Sequence, residues 1–243
     1  MRYIPKKHRR IFLLIGFLSM TLCGISDCLM SFMGEGEPYI VDGMVSMNIS
    51  DVPLWYYRIS FVIGIFASVG YFLGTTAVCS YAKDRPGGEG SKALRAYGFG
   101  TMMMSLGIFG IHSICALALM NVRAAVVSGV SLENIRENFA PSAIYPFIVG
   151  TVWQTAADLI SGIAFIALVF RRVINIPKVW IAVGPLCLYL ICQVLGKGMT
   201  AITGEQIFRH IFAGGESFGI AFMMLAVWIS STDRKEEITY AQI

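Results

Sequence analysis

Six stretches of this chain are long and apolar enough to cross a bilayer, and that one feature settles most of what it can fold into. A spanning helix needs about 20 mostly apolar residues. Residues 11–33, 55–82, 96–120, 145–170, 179–201 and the shorter 216–232 meet that requirement. They are continuous apolar runs, not alternating ones, so strands are excluded as the spanning unit, and an open sheet cannot satisfy its backbone in lipid. Composition agrees. Of 243 residues, 56% are hydrophobic and only 14% are charged, where soluble domains run at about 25% charged. The chain is too apolar for a disordered one, and a net charge of +4 is too weak to draw nucleic acid. The expectation is an all-α fold: a single polytopic membrane helical bundle over residues 1–243, with the lipid bilayer as its partner.

Lys and Arg set the orientation. Arg2, Lys6, Lys7, Arg9 and Arg10 precede the first span; Lys83, Arg85, Lys92 and Arg95 follow the second. Arg171, Arg172 and Lys178 follow the fourth, and Arg234 and Lys235 follow the sixth. All fall on the side of the N-terminus. The positive-inside rule makes that side cytoplasmic and leaves both termini there. Trp55, Tyr56, Tyr57, Tyr97, Tyr145, Trp180 and Trp228 stand at or near span ends, where interfacial aromatics gather. No small-residue cleavage site follows the basic start, so the first span reads as an uncleaved anchor.

Two longer loops then face outward. Residues 34–54 are acidic, with Glu35, Glu37, Asp42 and Asp51. In residues 121–144, Ser131 is an N-cap for a short helix whose Leu132, Ile135 and Phe139 form one apolar stripe. The six cysteines (Cys23, Cys28, Cys79, Cys115, Cys187, Cys192) all lie inside spans and read as small apolar residues. Gly70 and Gly74 form G-x-x-x-G in the second span, and Gly16, Ser19 and Cys23 make a small-residue stripe in the first, continuing to Ser26 and Asp27.

Ionisable residues inside spans are expensive and point to function. Asp27, Arg58, His112, Asp158 with Gln154, Lys197 with Gln193, and Glu216 are the set. Asp27 and His112 are each the seventeenth residue of an outward-running span and Lys197 the nineteenth, which at about 1.5 Å per residue puts them in the outer half. Arg58 and Glu216 enter from the outer surface, and Asp158 lies nearer the middle. The expectation is an outward-facing ligand pocket built from Asp27, Arg58, His112, Gln154, Asp158, Lys197 and Glu216. An ion pair of Asp27 with Arg58 is the plainer alternative for those two. Glu205, Arg209 and His210 read as solvated.

Motifs for catalysis are thin. Gly215-Glu216-Ser217-Phe218-Gly219 matches G-x-S-x-G, but the nucleophile elbow needs a strand before it, and here the string opens a spanning helix. A histidine-rich zinc site would have to draw on His112, His210 and Asp27, because His8 lies on the wrong side; no metal and no cofactor is expected.

Gly24-Ile-Ser-Asp27, Trp55-Tyr-Tyr-Arg58, Gly107-Ile-Phe-Gly-Ile-His112, Tyr145-Pro146, Pro177-Lys-Val-Trp180 with Gly184-Pro185-Leu186, and Gly214-Gly215 occur in that order along the chain. In this the sequence resembles a family of uncharacterised bacterial six-span membrane proteins, a domain of unknown function. The resemblance implies the topology and a bacterial inner membrane, and no activity. The family pattern often carries an amide near the start of the last span, where this chain has Glu216 or Ser217. Three functions are compatible with the residues. The first is a protein that binds or transports a small polar molecule or lipid headgroup, with Arg58 and Lys197 on anionic groups and Asp27, His112 and Glu216 tuning charge. The second is a membrane enzyme on a lipid, with His112 as base oriented by Asp27. The third is a structural or sensory subunit. With no recognisable nucleophile or metal set, the first is favoured over the enzyme.

Overall fold

The structure is a computed structural model and describes residues 3–41 and 44–231, apart from the side chains of residues 142 and 143. Asp42, Arg2, Arg234, Lys235 and the end of the sixth span at Thr232 therefore lie outside the described residues. The architecture is an all-α bundle. Its helices are α1 (Lys6–Met30), α2 (Leu54–Lys83), α3 (Lys92–Val127), α4 (Leu132–Asn138), α5 (Ala140–Phe170), α6 (Pro185–Thr203), α7 (Ile207–Ile211) and α8 (Gly215–Ser230). Six segments are long and apolar enough to cross a membrane, the last being α7 and α8 taken together.

Local chemistry explains where the helices depart from the apolar runs. α3 has 36 residues, about 54 Å of helix, so it projects well beyond a hydrocarbon core of about 30 Å. α6 starts at Pro185, not at residue 179. Lys178–Ile181 form a 3-10 turn, and proline at the first helical position opens the α-helix. The last span is broken: α7 ends at Ile211 and α8 begins only at Gly215.

Loops sort onto two faces. On the N-terminal face, Ile4 packs in one apolar cluster with Ala82, Val173, Ile174 and Ile176, and the Arg10 guanidinium lies 5.0 Å over the Trp228 ring at the end of α8. Residues 31–41, 44–53, 128–139 and 204–214 lie at the opposite end and form a cap. The cap holds a small antiparallel hairpin, β1 (Tyr39–Val41) with β2 (Val45–Ser46), followed by a 3-10 turn at Met47–Asp51. It has an apolar core of its own, where Ile40, Ile49 and Ile135 meet Tyr57 and the projecting end of α3 at Leu119 and Val122. Arg123 donates to the carbonyls of Val52 (2.8 Å) and Ser50 (2.9 Å) and ties α3 to this cap. Ser131 caps α4 by accepting from the Asn134 N–H. Tyr57 and Tyr97 are fully buried and are not interfacial aromatics. Each sits on the inner face of its helix.

Helices meet where side chains are smallest. A Cβ on Gly16 would lie 2.8 Å from Gly74 Cα and 2.4 Å from Met224 Sδ, and one on Gly70 would lie 2.0 Å from Ser19 Oγ. α1 and α2 therefore touch backbone to backbone along the small-residue stripe, with the Met224 side chain of α8 packed into the same point, as helices do in lipid where apolar burial supplies little driving force. Met104, Met223 and Met224 fill the core, whereas Met102 faces outward. Gly16→Val is expected to destabilise the bundle by about 1–3 kcal/mol through overpacking, seen as a lower thermal unfolding midpoint in detergent.

At the N-terminal face Asp84 accepts from Arg9 Nη1 (2.8 Å) and Tyr3 Oη (3.1 Å), with Lys6 at 4.0 Å. Burial pushes the Asp84 carboxyl up, but these hydrogen bonds and charges outweigh it and hold the group below the usual carboxylate range. A depressed carboxylate stabilises the fold above its unfolded pKa of about 4 and loses that contribution as pH falls through its folded value. Wild type and Asp84→Asn should therefore differ in unfolding midpoint near neutral pH and converge as the pH drops below about 4. A gap that persists in acid would sink this assignment.

Candidate functional site

The small-residue face of α1 ends in a polar pair. Cys23 and Asp27 are one turn apart and Ser26 adjoins them. α3 brings His112 to the same point, and it can do so only because α2 has no side chain at residue 64. A Cβ there would lie 2.1 Å from His112 Cβ. The imidazole is buried, with Nε2 at 3.0 Å from Asp27 Oδ1 and 3.3 Å from Cys23 Sγ. Nδ1 lies 3.4 Å from Ser26 Oγ, which also donates to the Ser60 carbonyl at 3.5 Å. Ser60 returns the contact, its hydroxyl donating to the Ser26 carbonyl at 3.1 Å.

The break in the last span completes this group. A Cβ on Gly214 would lie 2.3 Å from the Gly24 carbonyl oxygen, and one on Gly215 would lie 2.5 Å from Cys192 Cβ. Glycine at both positions lets the start of α8 seat between α1 and α6. Ser217 Oγ then donates to Asp27 Oδ2 at 2.6 Å. Both oxygens of Asp27 are thus engaged, one by His112 and one by Ser217. Ser217 bonds the carboxylate and not the imidazole, so the G-x-S-x-G string assembles no serine–histidine nucleophile.

Glu216, beside Ser217, faces the other way. Gln154 Nε2 donates to Glu216 Oε1 at 2.7 Å, and Asp158, one turn further along α5, lies close to the same carboxyl. Asp27, Gln154, Lys197 and Glu216 line a cavity of about 450 Å³ between α1, α5, α6, α8 and the cap. Gln193 and Gln206, the charged Glu35 and Arg209, and the apolar Met30, Met33, Phe147 and Phe212 are also among its lining residues.

Of the seven residues expected to form one pocket, four therefore line the cavity. His112 stands behind Asp27, and Asp158 lies near Glu216 without itself lining the space. Arg58 is the departure. It is exposed on α2 and is not among the cavity-lining residues, because it points off the face that Ser60 and Gly64 turn toward α1 and α3. Asp27 takes His112 and Ser217 as partners in place of Arg58. His210 is not simply solvated either. Its ring stacks on Phe32 at 4.1 Å, with Nδ1 3.0 Å from Ser31 Oγ and Nε2 3.3 Å from Glu35 Oε1.

Cys23 and Ser26 were read as packing residues. Their shared face with Asp27 was legible, but their contact with His112 depends on how α3 crosses α2. His210 does not join Asp27 and His112 in a metal-ligating set. Cys23 stands in its place, its sulfur lying with the Asp27 and His112 ligand atoms within 4.8 Å of one another.

Residues 4–234 match a family of unknown function designated DUF6796. The chain belongs to this family. The match covers nearly the whole chain, every residue of the site included. No curated protein and no solved structure matches the chain.

Two substitutions test the arrangement. Gly64→Ala is expected to force His112 out of place at a cost of about 1–3 kcal/mol. His112→Ala leaves the Asp27 carboxylate short of a partner at about 2–3 kcal/mol. Unfolding midpoints equal to wild type in both would show that the pair is not packed as described.

Proposed function

We propose that this member of DUF6796 binds a small zwitterionic molecule, with a lipid headgroup as the favoured class, in the cavity between α1, α5, α6 and α8. The single observation that carries this reading is the cavity's lining: Lys197 and Arg209 supply positive charge, Asp27, Glu35 and Glu216 negative charge, and Gln154, Gln193 and Gln206 neutral hydrogen-bonding groups. Such a mixture suits a ligand with a separated cation and anion. The apolar side chains Met30, Met33, Phe147 and Phe212 offer a surface for the first carbons of an acyl chain.

Access supports the lipid form of the reading. α5 and α6 share few contacts, among them Gly162 against Leu186. The seam between them is the sideways entrance from the bilayer. Toward the N-terminal face the bundle is filled by Tyr71, Tyr97, Met104, Phe165 and Met224, all buried, which favours binding over passage across the membrane. The basic N-terminal face is cytoplasmic under the positive-inside rule, the cavity opens outward, and the membrane is a bacterial inner one. A second reading is an enzyme on the same headgroup with His112 and Asp27 as its acid–base pair. The Asp27–His112 contact beside the cavity favours it over a purely structural subunit.

Native mass spectrometry of the protein purified in mild detergent is the test. Wild type is expected to retain about one phospholipid per chain, and the double variant Lys197→Gln, Arg209→Gln to lose it, a fall of at least about tenfold in occupancy for two lost charge-assisted contacts. Equal occupancy in the two proteins would overturn the reading.

A further inference from the structure

We propose that Cys23, Asp27 and His112 form a binding site for one divalent transition metal of the zinc type. Nothing in the cavity reading requires this, and metal content can be measured whether or not the cavity holds a lipid.

The donor set carries the first part of the argument. A thiol sulfur, an imidazole nitrogen and a carboxylate oxygen from two helices converge, the three ligand atoms within 4.8 Å of one another. Zinc takes Cys, His and Asp in tetrahedral sites, whereas magnesium and calcium prefer all-oxygen shells. Zinc bonds of about 2.0–2.3 Å imply ligand-to-ligand edges of roughly 3.3–3.7 Å in a tetrahedron. The separations of 3.0 Å from Asp27 Oδ1 to His112 Nε2 and 3.3 Å from Cys23 Sγ to the same nitrogen need to open by only a few tenths of an ångström.

Charge carries the second. A thiolate and a carboxylate together bear two negative charges, and a divalent cation cancels them. The loaded centre is then neutral, the only inexpensive state for ions inside an apolar bundle. Loading displaces the Cys23 thiol proton, and the Nε2 position of His112 must present its lone pair with the ring proton held on Nδ1.

The surrounding hydrogen bonds are arranged for that state. Ser26 Oγ lies 3.4 Å from Nδ1, the atom that must keep its proton, and passes its own hydrogen on to the Ser60 carbonyl. Ser217 donates to Asp27 Oδ2 at 2.6 Å, leaving Oδ1 for the metal. Supporting bonds of this kind fix the tautomer and orientation of metal ligands. Cys23 and Asp27 lie one turn apart on α1 and need no loop to bring them together. Asp27 also lines the cavity. With three protein ligands, the fourth position would face that space, open to a water molecule or to an oxygen of a bound headgroup, as in zinc sites that act on a ligand instead of only holding a fold.

The experiment uses the full chain purified in detergent, stripped with a chelator and reloaded separately with zinc(II) and cobalt(II). After desalting, elemental analysis is expected to find one zinc per chain, and cobalt to give the intense visible bands of a tetrahedral site together with a sulfur-to-cobalt charge-transfer band. Cys23→Ala, which leaves the Asp27–His112 pair in place, should lose both the stoichiometric zinc and the charge-transfer band while keeping its helical circular dichroism. Ser26→Ala and Ser217→Ala should each weaken zinc binding by about 10–100-fold. Substoichiometric zinc in folded wild type would overturn the proposal. So would equal zinc retention by wild type and Cys23→Ala, or a cobalt spectrum without the sulfur band.

Discussion

The close backbone approach of α1 to its neighbours is the constraint on which the rest of the structure depends. Inside a bilayer, helices gain little by burying apolar side chains against one another, so contact must come from shape and from polar bonds. Gly16 against Gly74, Gly70 against Ser19 and Gly24 against Gly214 let three helices touch at backbone distance. The same approach delivers the polar groups. Ser217 reaches Asp27 because Gly214 lies against Gly24, and His112 reaches it because Gly64 leaves the space that its side chain fills.

Polarity is distributed along the bundle in a way that follows from the cost of burying it. Toward the N-terminal face the core is filled by Leu13, Met20, Tyr71, Tyr97 and Phe165. Toward the cap, side chains from α1, α3, α5 and α8 meet one another: Asp27 with His112 and Ser217, and Glu216 with Gln154, with Asp158 close by. Asp27, His112, Ser217, Gln154 and Glu216 each have a partner of this kind, as an apolar environment demands. The hairpin and α4 cover this end with an apolar core of their own, so the cap is a packed unit and not a pair of loose loops. α6 is the exception to tight packing. It is mostly exposed along its length, rests chiefly on α8, and forms one wall of the cavity.

Much of this was legible in the sequence. Length and apolarity identify the six spans, and membership of DUF6796 over residues 4–234 agrees with the resemblance of the motifs. Counting residues from the span starts put Asp27 and His112 at one depth, and the structure pairs them at 3.0 Å. The same count put Arg58 in their company, and there it failed. Depth says nothing about which way a side chain faces around the helix, and Arg58 turns outward. Cys23 escaped notice for the opposite reason. Its chemistry is silent in a span until a histidine from another helix stands beside it. The β-hairpin was missed because strands of two or three residues leave no alternating pattern to read.

Hydropathy and helical rise along one dimension suffice to read from the sequence six helices long and apolar enough to cross a membrane, the expected depth of each polar group along them, and where small residues permit close contact. Which faces meet is set by the packing of the helices in three dimensions. It turned Arg58 away, brought Cys23 and His112 together with Asp27, and set Glu216 between Gln154 and Asp158. Those outcomes depend on the crossing of helices distant in the chain, with the break before α8 and the bare surface at Gly64 setting the register.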